Sequence, residues 1–395
     1  MPFRCVLLVG FLYLTFCVPG SAQNPAGVPV APRARDLGVP FDGKPGPLDA
    51  ITDVAGVEVG TTTLISGSGP LKVGVGPIRT GVTVVLPRGK AGKEPVYAGW
   101  FSLNGNGEMT GTTWVEESGF LEGPLAITNT HSVGAVRDSI IAWGLKNGAF
   151  QQPWSLPVVA ETYDGFLNDI NGFHVQPEHV YAALDGAHGG AVREGNVGGG
   201  TGMVCYGFKG GTGTASRKLA DDAGGYTVGV LVQCNCGRRQ QLTVAGVPVG
   251  KEIPEGAPYA GLAKPLGSET SGDMGSIIIV VATDAPLLPT QLKRLARRAA
   301  LGLARTGSTS GNGSGDIFIA FSTANAGADK SPGPNQVLTV ANDRISPLFT
   351  ATVEATEEAI INAMVGATTM TGIDGHTVEA LPHDKLQQVL KKYNR

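Results

Sequence analysis

The sequence lacks the short motifs that mark several common enzyme classes. It contains no G-x-S-x-G, the nucleophile motif of α/β-hydrolases, no G-x-x-x-x-G-K-[ST] phosphate loop and no H-E-x-x-H metal motif. It has no basic run and its formal net charge is −3, so nucleic acid is not an expected partner. The glycine-rich stretch GGGTG at 198–202 suggests a phosphate cradle, but no Lys-Ser/Thr follows it, which disfavours a nucleotide-binding protein.

Cysteine is also scarce, with five residues in the chain. Cys5 and Cys17 fall in the first 22 residues, so three remain for the folded part: Cys205, Cys234 and Cys236. Three cysteines do not make a disulfide framework for a chain of this size, and Cys234 and Cys236 lack the spacing of a zinc or redox pair. We therefore expect all three to be buried as small hydrophobic residues.

The first 22 residues read as a targeting segment. A positive start, MPFR, precedes the apolar run CVLLVGFLYLTFCV, and the small residues Gly20, Ser21 and Ala22 follow. This pattern is typical of a secretory signal that is cleaved after Ala22, and it predicts a secreted or periplasmic protein. An uncleaved membrane anchor is the alternative.

The remaining chain predicts a single α+β domain over residues 23–395. Hydrophobic residues make up 42% of the chain, and 59 glycines imply many turns between short apolar runs. Strands and helices come in blocks, which favours layered α+β over a doubly wound parallel sheet. The predicted strands are 51–59, 82–86, 125–129, 157–161, 226–233, 277–282 and 316–322, and the predicted helices are 133–146, 290–305 (capped by Thr290), 346–365 and 384–393.

Ser276 is the residue that raises a chemical question. It lies between Gly275 and an unbroken apolar run that begins at Ile277. The six histidines are scattered without ligand spacing, so a serine hydrolase built on this chain needs another base. Cleavage of the peptide bond before Ser276 would supply one, because an α-amine has a pKa of about 7.7–8.0 and can accept the hydroxyl proton during attack.

A second Gly-Ser step competes with the first on composition alone. Gly313 and Ser314 also precede a predicted strand, although Gly315 loosens its start. Capping of a strand end is the alternative for both Ser276 and Ser314.

The chain resembles the self-processing aminopeptidases, the family of L-aminopeptidase/D-amidase-esterase and the β-peptidyl aminopeptidases. The resemblance extends over about residues 35–380 and depends on several stretches in the expected order rather than on any one of them. These stretches are RDLG at 35–38, ETYDGFLND at 161–169, VQCNCG at 232–237, GS at 275–276 and GSGD at 313–316.

The resemblance implies a four-layer αββα sandwich that resembles N-terminal-nucleophile hydrolases but has a different strand order. It also implies autocleavage between Gly275 and Ser276, giving an α chain of residues 23–275 and a β chain of residues 276–395. Ser276 would then act as both nucleophile and base. Ser314 and the carboxylate of Asp316 would bond the freed amine and relay protons.

Three further positions match the family pattern. Asn235 matches the oxyanion position, where a side-chain amide donates to the developing charge. Tyr163 matches an active-site phenol, and Glu161 matches the carboxylate that binds the free amino group of the substrate. Alternation along a strand would place Glu161 and Tyr163 on one face. A turn-forming asparagine, a core tyrosine and a surface glutamate are the alternatives.

These expectations combine into one functional prediction. The chain is predicted to be a serine aminopeptidase, without metal or cofactor, that removes N-terminal residues from short peptides, amides or esters through an acyl-enzyme. Family members are homo-oligomers of αβ units, so the resemblance implies the same here. The alternative function is a non-catalytic binding module that keeps the sandwich fold.

Overall fold

The computed structural model describes Met1 and residues 32–258, 275–330 and 332–395. From residue 32 onward the described residues belong to one compact unit. The predicted signal segment 1–22 lies outside the described residues except for Met1. None of the helices in the described ranges is long and apolar enough to cross a bilayer.

The strands form two main sheets and two short hairpins. The four-stranded sheet has the order β1-β2-β5-β6, and the six-stranded sheet has the order β4-β3-β12-β11-β10-β9. The strands are β1 Glu58–Ser66, β2 Ile78–Leu86, β3 Val96–Ser102, β4 Phe120–Leu121, β5 Leu125–Asn129, β6 Val158–Thr162, β7 Val204–Cys205, β8 Phe208–Lys209, β9 Gly211–Lys218, β10 Thr227–Asn235, β11 Ser276–Thr283, β12 Ile317–Ser322, β13 Met370–Thr371 and β14 Thr377–Val378.

Helices cover the outer face of each sheet. The helices are α1 Thr112–Ser118, α2 Val133–Asn147, α3 Pro177–Asp185, α4 Val249–Glu252, α5 Pro289–Arg305, α6 Ser346–Val365 and α7 His383–Lys392. Helices α2 and α3 share a hydrophobic cluster with the four-stranded sheet, and α5 and α6 share one with the six-stranded sheet. The layers are therefore helix, sheet, sheet and helix, which confirms the predicted αββα sandwich.

Strand β11 is buried on both faces, and this explains its unbroken apolar sequence. Ile277, Ile279 and Val281 belong to the cluster under α5 and α6, whereas Ile278 and Val280 belong to the cluster between the two sheets. A strand between two covered faces needs apolar residues at every position. Strand β11 runs antiparallel to β10 and parallel to β12, so three strand ends meet beside Ser276.

The predicted elements around this strand are largely confirmed. Strand β5 and helix α6 have the predicted bounds, and helix α2 and strands β6, β10 and β12 differ by one or two residues at their ends. The apolar stripe of α5, which includes Leu292 and Leu303, is buried as predicted. That helix begins at Pro289, not after a Thr290 cap, because Gln291 Oε1 accepts the Leu288 N–H from inside the first turn.

The predicted strand 51–59 is wrong except for its last two residues, Glu58 and Val59. Residues Ile51–Asp53 form a 3-10 turn, and strand β1 begins only at Glu58. The carboxylate of Asp53 accepts the backbone N–H groups of Leu48 and Ala50, and Gly56 has a φ of +88°. These local bonds and the positive φ favour a turn over an extended chain.

Strand β9 was not predicted, because it carries almost no large apolar side chain. Its Gly213 lies against helix α6, where an added Cβ would be 2.1 Å from the Ala359 carbonyl oxygen. The missing side chains therefore allow a close approach between strand and helix.

Candidate active site

Ser276 and Asn235 face each other at one end of the six-stranded sheet. The antiparallel pairing of β10 and β11 places Asn235, the last residue of β10, opposite Ser276, the first residue of β11. Both residues are buried. Gly275 is packed so closely that an added Cβ would lie 2.3 Å from the Asn235 carbonyl oxygen. A residue with a side chain at position 275 would therefore displace the backbone beside Asn235.

The start of strand β12 brings Ser314 and Asp316 to the same place. Because β11 and β12 are parallel and Ile278 pairs with Ile317, the residues before Ile317 lie beside Ser276. The backbone N–H of Gly315 donates to Ser276 Oγ at 3.1 Å. Ser314 Oγ donates to Asp316 Oδ1 at 2.6 Å.

The Asp316 carboxylate binds both strands at this end of the sheet. Its Oδ1 also accepts the Ile277 N–H at 3.2 Å, so the Asp316 side chain reaches from the start of β12 to strand β11. The structure thus assembles Ser276, Asn235, Ser314 and Asp316 into one buried cluster.

The side chain of Asn235 is held in one orientation. Its Oδ1 accepts the backbone N–H of Val204 at 2.7 Å. With the carbonyl end fixed in this way, the NH₂ end is the donor that remains for a ligand. This is the orientation that an oxyanion donor requires.

Glu161 approaches the cluster from the four-stranded sheet. Its side chain is buried, Oε1 accepts the Glu108 N–H at 3.0 Å and Oε2 accepts the Thr130 hydroxyl at 2.5 Å. Burial raises the pKa of this carboxyl, and the two hydrogen bonds oppose the rise. The carboxylate is therefore not the solvated surface group of the alternative interpretation.

Gly107 lies between Glu161 and the loop that carries Ser314. A Cβ added to Gly107 would be 3.2 Å from Glu161 Oε1 and 3.0 Å from the Cα of Gly315. Gly315 in turn bonds Ser276. A single residue, Gly107, thus separates Glu161 from the loop that bonds Ser276.

Tyr163 is less closely integrated than the other predicted residues. Strand β6 ends at Thr162, so strict alternation does not extend to Tyr163 and the expectation of a shared strand face does not apply. The ring lies over Gly165, where an added Cβ would be 2.5 Å from Tyr163 Oη. Burial raises the pKa of the Tyr163 phenol. No hydrogen bond from the described residues joins this hydroxyl to Ser276 or Asn235.

Two residues that the sequence did not single out position the cluster. Asn104 Oδ1 accepts the Asp316 N–H at 2.6 Å, and its Nδ2 donates to the carbonyls of Ser310 and Gly311 at 3.1 Å. Asn104 lies in the glycine-rich loop 103–110, which has no periodic pattern. A polar residue directly before a glycine, Gly105, was the one available signal.

The second of these residues, Gln233, connects the two sheets. It lies two residues before Asn235 on β10, and its Nε2 donates to the Thr128 carbonyl at 2.8 Å and to Thr162 Oγ1 at 2.7 Å. Thr128 and Thr162 belong to strands β5 and β6 of the other sheet. These bonds fix the separation between the strand of Asn235 and the strand of Glu161.

The cysteines beside Asn235 correct one sequence-based expectation. All three are buried as expected, but Cys205 and Cys234 form a disulfide, and Cys236, which is not part of that disulfide, has its Sγ 3.8 Å from Cys234 Sγ. Alternation along β10 could not reveal this pairing, because Cys205 comes from β7. Within the described ranges one group of three possible metal ligands is found, and it consists of these cysteines.

A buried ionisable pair lies behind the site. Asp164 and Lys209 are both fully buried. Burial raises the pKa of Asp164 to about 7 and lowers the pKa of Lys209 to about 7, while the Asp164 charge favours protonated Lys209. Asp164 Oδ1 accepts a bond from Asn168 at 3.1 Å. Neither residue was singled out from the sequence, because the burial of a charged group is a tertiary property.

The sandwich and the buried serine cluster at its strand ends define a hydrolase of the N-terminal-nucleophile type. The chain belongs to Peptidase family S58, whose family model matches residues 49–378. It is accordingly a serine aminopeptidase, and the comparisons give no support to a non-catalytic binding module.

The chain is similar to two curated β-peptidyl aminopeptidases. It is 57% identical over 392 residues to β-peptidyl aminopeptidase BapA of Sphingosinicella microcystinivorans, which covers 97% of this chain and 98% of the relative. It is 50% identical over 366 residues to BapA of Sphingosinicella xenopeptidilytica, covering 91% of both chains.

The same relationship is seen in solved structures. The L-aminopeptidase D-Ala-esterase/amidase of Ochrobactrum anthropi, described as a variant of the Ntn hydrolase fold, superposes with a TM-score of 0.85 at 48% identity, over 92% of this chain and 99% of that one. A β-aminopeptidase of Burkholderia sp. superposes with a TM-score of 0.81 at 49% identity, over 91% and 98% of the two chains.

Proposed function

We propose that this aminopeptidase activates itself by cleavage between Gly275 and Ser276. In the uncleaved chain, Ser276 Oγ attacks the carbonyl carbon of Gly275 and water then hydrolyses the resulting ester, which leaves a free amine on Ser276. The observation that carries the proposal is the bond from the Gly315 N–H to Ser276 Oγ inside a cluster that includes Asn235.

The freed amine then supplies the base for turnover. Ser276 Oγ attacks the substrate carbonyl and transfers its proton to the α-amine of the same residue, whose ordinary pKa is about 7.7–8.0. The Asn235 NH₂ group donates to the oxyanion. The amine returns the proton to the leaving group, and water hydrolyses the acyl-enzyme. Ser314 and Asp316 hold the amine and relay protons.

We propose that Glu161 binds the free amino group of the substrate. Each carboxylate oxygen has one protein partner and can accept a further bond, and an approaching ammonium lowers the pKa that burial has raised. The substrates are then short peptides, amides or esters with a free amino terminus. Tyr163 is proposed to orient the intermediate.

The names of the relatives sharpen the substrate class. Two curated relatives at 57% and 50% identity are called β-peptidyl aminopeptidases, which supports an N-terminal β-amino acid as the preferred residue. A panel of L-, D- and β-aminoacyl amides tests this preference, and faster release from the L- or D-amides than from the β-amides would contradict it.

Two further proposals concern the setting of the enzyme. We propose that residues 1–22 are removed on secretion, to the periplasm or the exterior, and that processed αβ units assemble into a homo-oligomer. N-terminal sequencing of the protein from culture fractions and light scattering of the purified enzyme test them. A chain that retains Met1 and a monomeric αβ unit are the contrary results.

The variant Ser276→Ala tests self-processing. Wild-type protein should run as two bands on a denaturing gel, and the smaller should begin with Ser276 by N-terminal sequencing. Ser276→Ala should give one uncleaved band with no activity above background, because nucleophile and base are the same residue. Ser276→Cys is the matched control, since its thiol keeps a nucleophile and should retain some processing. An intact Gly275–Ser276 bond in fully active wild-type enzyme would refute the proposal.

A further inference from the structure

Lys209 is a buried cation to which the proposed reaction assigns no role. It ends the short strand β8, and its Nζ donates to the carbonyls of Met203 at 2.9 Å and Gly210 at 2.8 Å. A fully buried lysine is costly, because desolvation disfavours its charged form. Packing alone would be served as well by an apolar side chain of the same length.

The Met203 carbonyl connects Lys209 to the oxyanion donor. That carbonyl and the Val204 N–H belong to a single planar peptide group. Lys209 Nζ and the Gly210 backbone N–H both donate to the oxygen of this peptide at 2.9 Å, and its N–H donates to Asn235 Oδ1 at 2.7 Å. The side-chain NH₂ of Asn235 is the next donor in line. The chain of bonds is therefore Lys209 Nζ, the Met203–Val204 peptide, and the amide of Asn235.

We propose that Lys209 is a positioning residue that acts on the oxyanion donor Asn235 through the Met203–Val204 peptide. The inference rests on the proposed role of Asn235 in the reaction. Lys209 does not touch the substrate. It fixes the plane of the peptide that orients the Asn235 side chain.

Two physical effects follow from this arrangement. First, fixing the peptide plane prevents rotation of the Asn235 amide, so that its NH₂ end is preorganised before charge develops. Second, hydrogen bonds in series polarise one another in a low-dielectric interior, so a donor on the Met203 oxygen strengthens the Val204 N–H and, through Oδ1, the Asn235 NH₂. A neutral lysine amine still has two N–H bonds, so the positioning holds in either protonation state of Lys209.

The test is a double-mutant cycle of Lys209→Met and Asn235→Ala in the full chain. Rates are divided by the concentration of processed β chain, so that incomplete maturation is not counted as lost activity. Asn235→Ala should lower kcat by about 10²–10³-fold. Lys209→Met should lower kcat by about tenfold with KM within about twofold, because its target acts only in the transition state. In the Asn235→Ala background, Lys209→Met should have no further effect.

Tyr206→Phe is the matched control for loosening of the same segment. Tyr206 joins β7 to β8, and its hydroxyl bonds Thr306 Oγ1 at 2.6 Å without touching the Met203–Val204 peptide. This variant should leave kcat within about twofold of wild type. If Lys209→Met does not yield folded protein, Lys209→Leu enters the same cycle, since its apolar side chain also cannot donate to a carbonyl.

Each outcome separates the two proposals. If Asn235→Ala leaves kcat unchanged, the role of Asn235 in the proposed function is wrong. If Asn235→Ala lowers kcat but Lys209→Met lowers it equally in both backgrounds, the role of Asn235 stands and the inference on Lys209 is wrong. The same holds if Lys209→Met raises KM instead of lowering kcat. Where a variant matures slowly, the rate at which the β chain appears is measured for the single and double variants and compared in the same double-mutant cycle.

Discussion

On the six-stranded sheet the polar side chains of the site bond to one another and to the strand ends, whereas on the four-stranded sheet the Glu161 side chain bonds, among the described residues, to Thr130 and to the backbone of Glu108. Asp316 accepts from Ser314 and from the backbone of Ile277, and Asn235 is held by Val204. Glu161 accepts from Thr130 and from the Glu108 backbone. The first set ties the strand ends together, and the second leaves each oxygen of the buried Glu161 carboxylate able to accept a further bond.

This contrast has a kinetic meaning. Interactions that strengthen only in the transition state change kcat, and interactions made equally in the ground state change KM. The six-stranded sheet should therefore control the rate of the chemical step, and the four-stranded sheet should control recognition of the amino terminus.

Asp316→Asn should have the largest effect of the variants that test this contrast. The amide removes the negative charge that binds Ser314 and that, in the proposed reaction, holds the amine of Ser276, and it can place an NH₂ where Oδ1 accepts two donors. We expect kcat to fall by about 10²–10³-fold with little change in KM. Steady-state kinetics on an aminoacyl amide measures it. A rise in KM at constant kcat would place Asp316 on the recognition side instead.

Glu161→Gln should have an intermediate effect, and it should change KM instead of kcat. The isosteric amide keeps the shape of the site but loses the charge that binds the substrate ammonium. Hydrogen bonds to charged groups contribute about 1.5–3 kcal/mol, so KM should rise by about 10- to 100-fold while kcat changes little. An ester substrate with a blocked amino group is the control, because wild type and variant should hydrolyse it at similar, low rates. Unequal rates on that control would contradict the assignment.

Asp164→Asn should have the smallest effect on activity. Its effect is measured instead on the free energy of unfolding as a function of pH. Burial raises the pKa of Asp164 from 3.8 to about 7, so the fold favours its protonated form. The stability that this group contributes is present below pH 3.8 and is lost as the pH rises through 7. The variant should therefore lose less stability than its parent between pH 4 and 7.

Urea unfolding between pH 4 and 7 measures the difference in unfolding free energy between Asp164→Asn and its parent. Both proteins carry Ser276→Ala, so that each remains a single uncleaved chain. The slopes of unfolding free energy against pH should differ by no more than about 1.4 kcal/mol per pH unit, the limit for one proton. Asp138→Asn, in which the lost carboxylate is exposed, is the matched control for the removal of one charge. Parallel pH curves for Asp164→Asn and its parent would contradict the prediction.

Particular residues explain how far the sequence alone could lead. The apolar run after Ser276 predicted a strand, and the periodicity of residues 346–365 predicted a helix with the observed bounds. Ser276, Ser314, Asp316 and Asn235 were named through the order of short stretches along the chain. Strand β9 was missed because its glycines replace side chains with close backbone contact, and the Cys205–Cys234 disulfide was missed because its two residues lie on strands of different sheets.

What the sequence by itself determined is local: the apolar strand behind Ser276, the amphipathic helices that cover the sheets, and the identity of the groups able to react. Only the tertiary structure decided which of those groups meet. The pairing of β10 with β11 and of β11 with β12 sets Asn235 and Asp316 beside Ser276, and burial in the folded chain moves the pKa values of Asp164 and Lys209. Strand register and desolvation depend on residues far apart in the chain, so neither can be read from the neighbours of a residue in sequence.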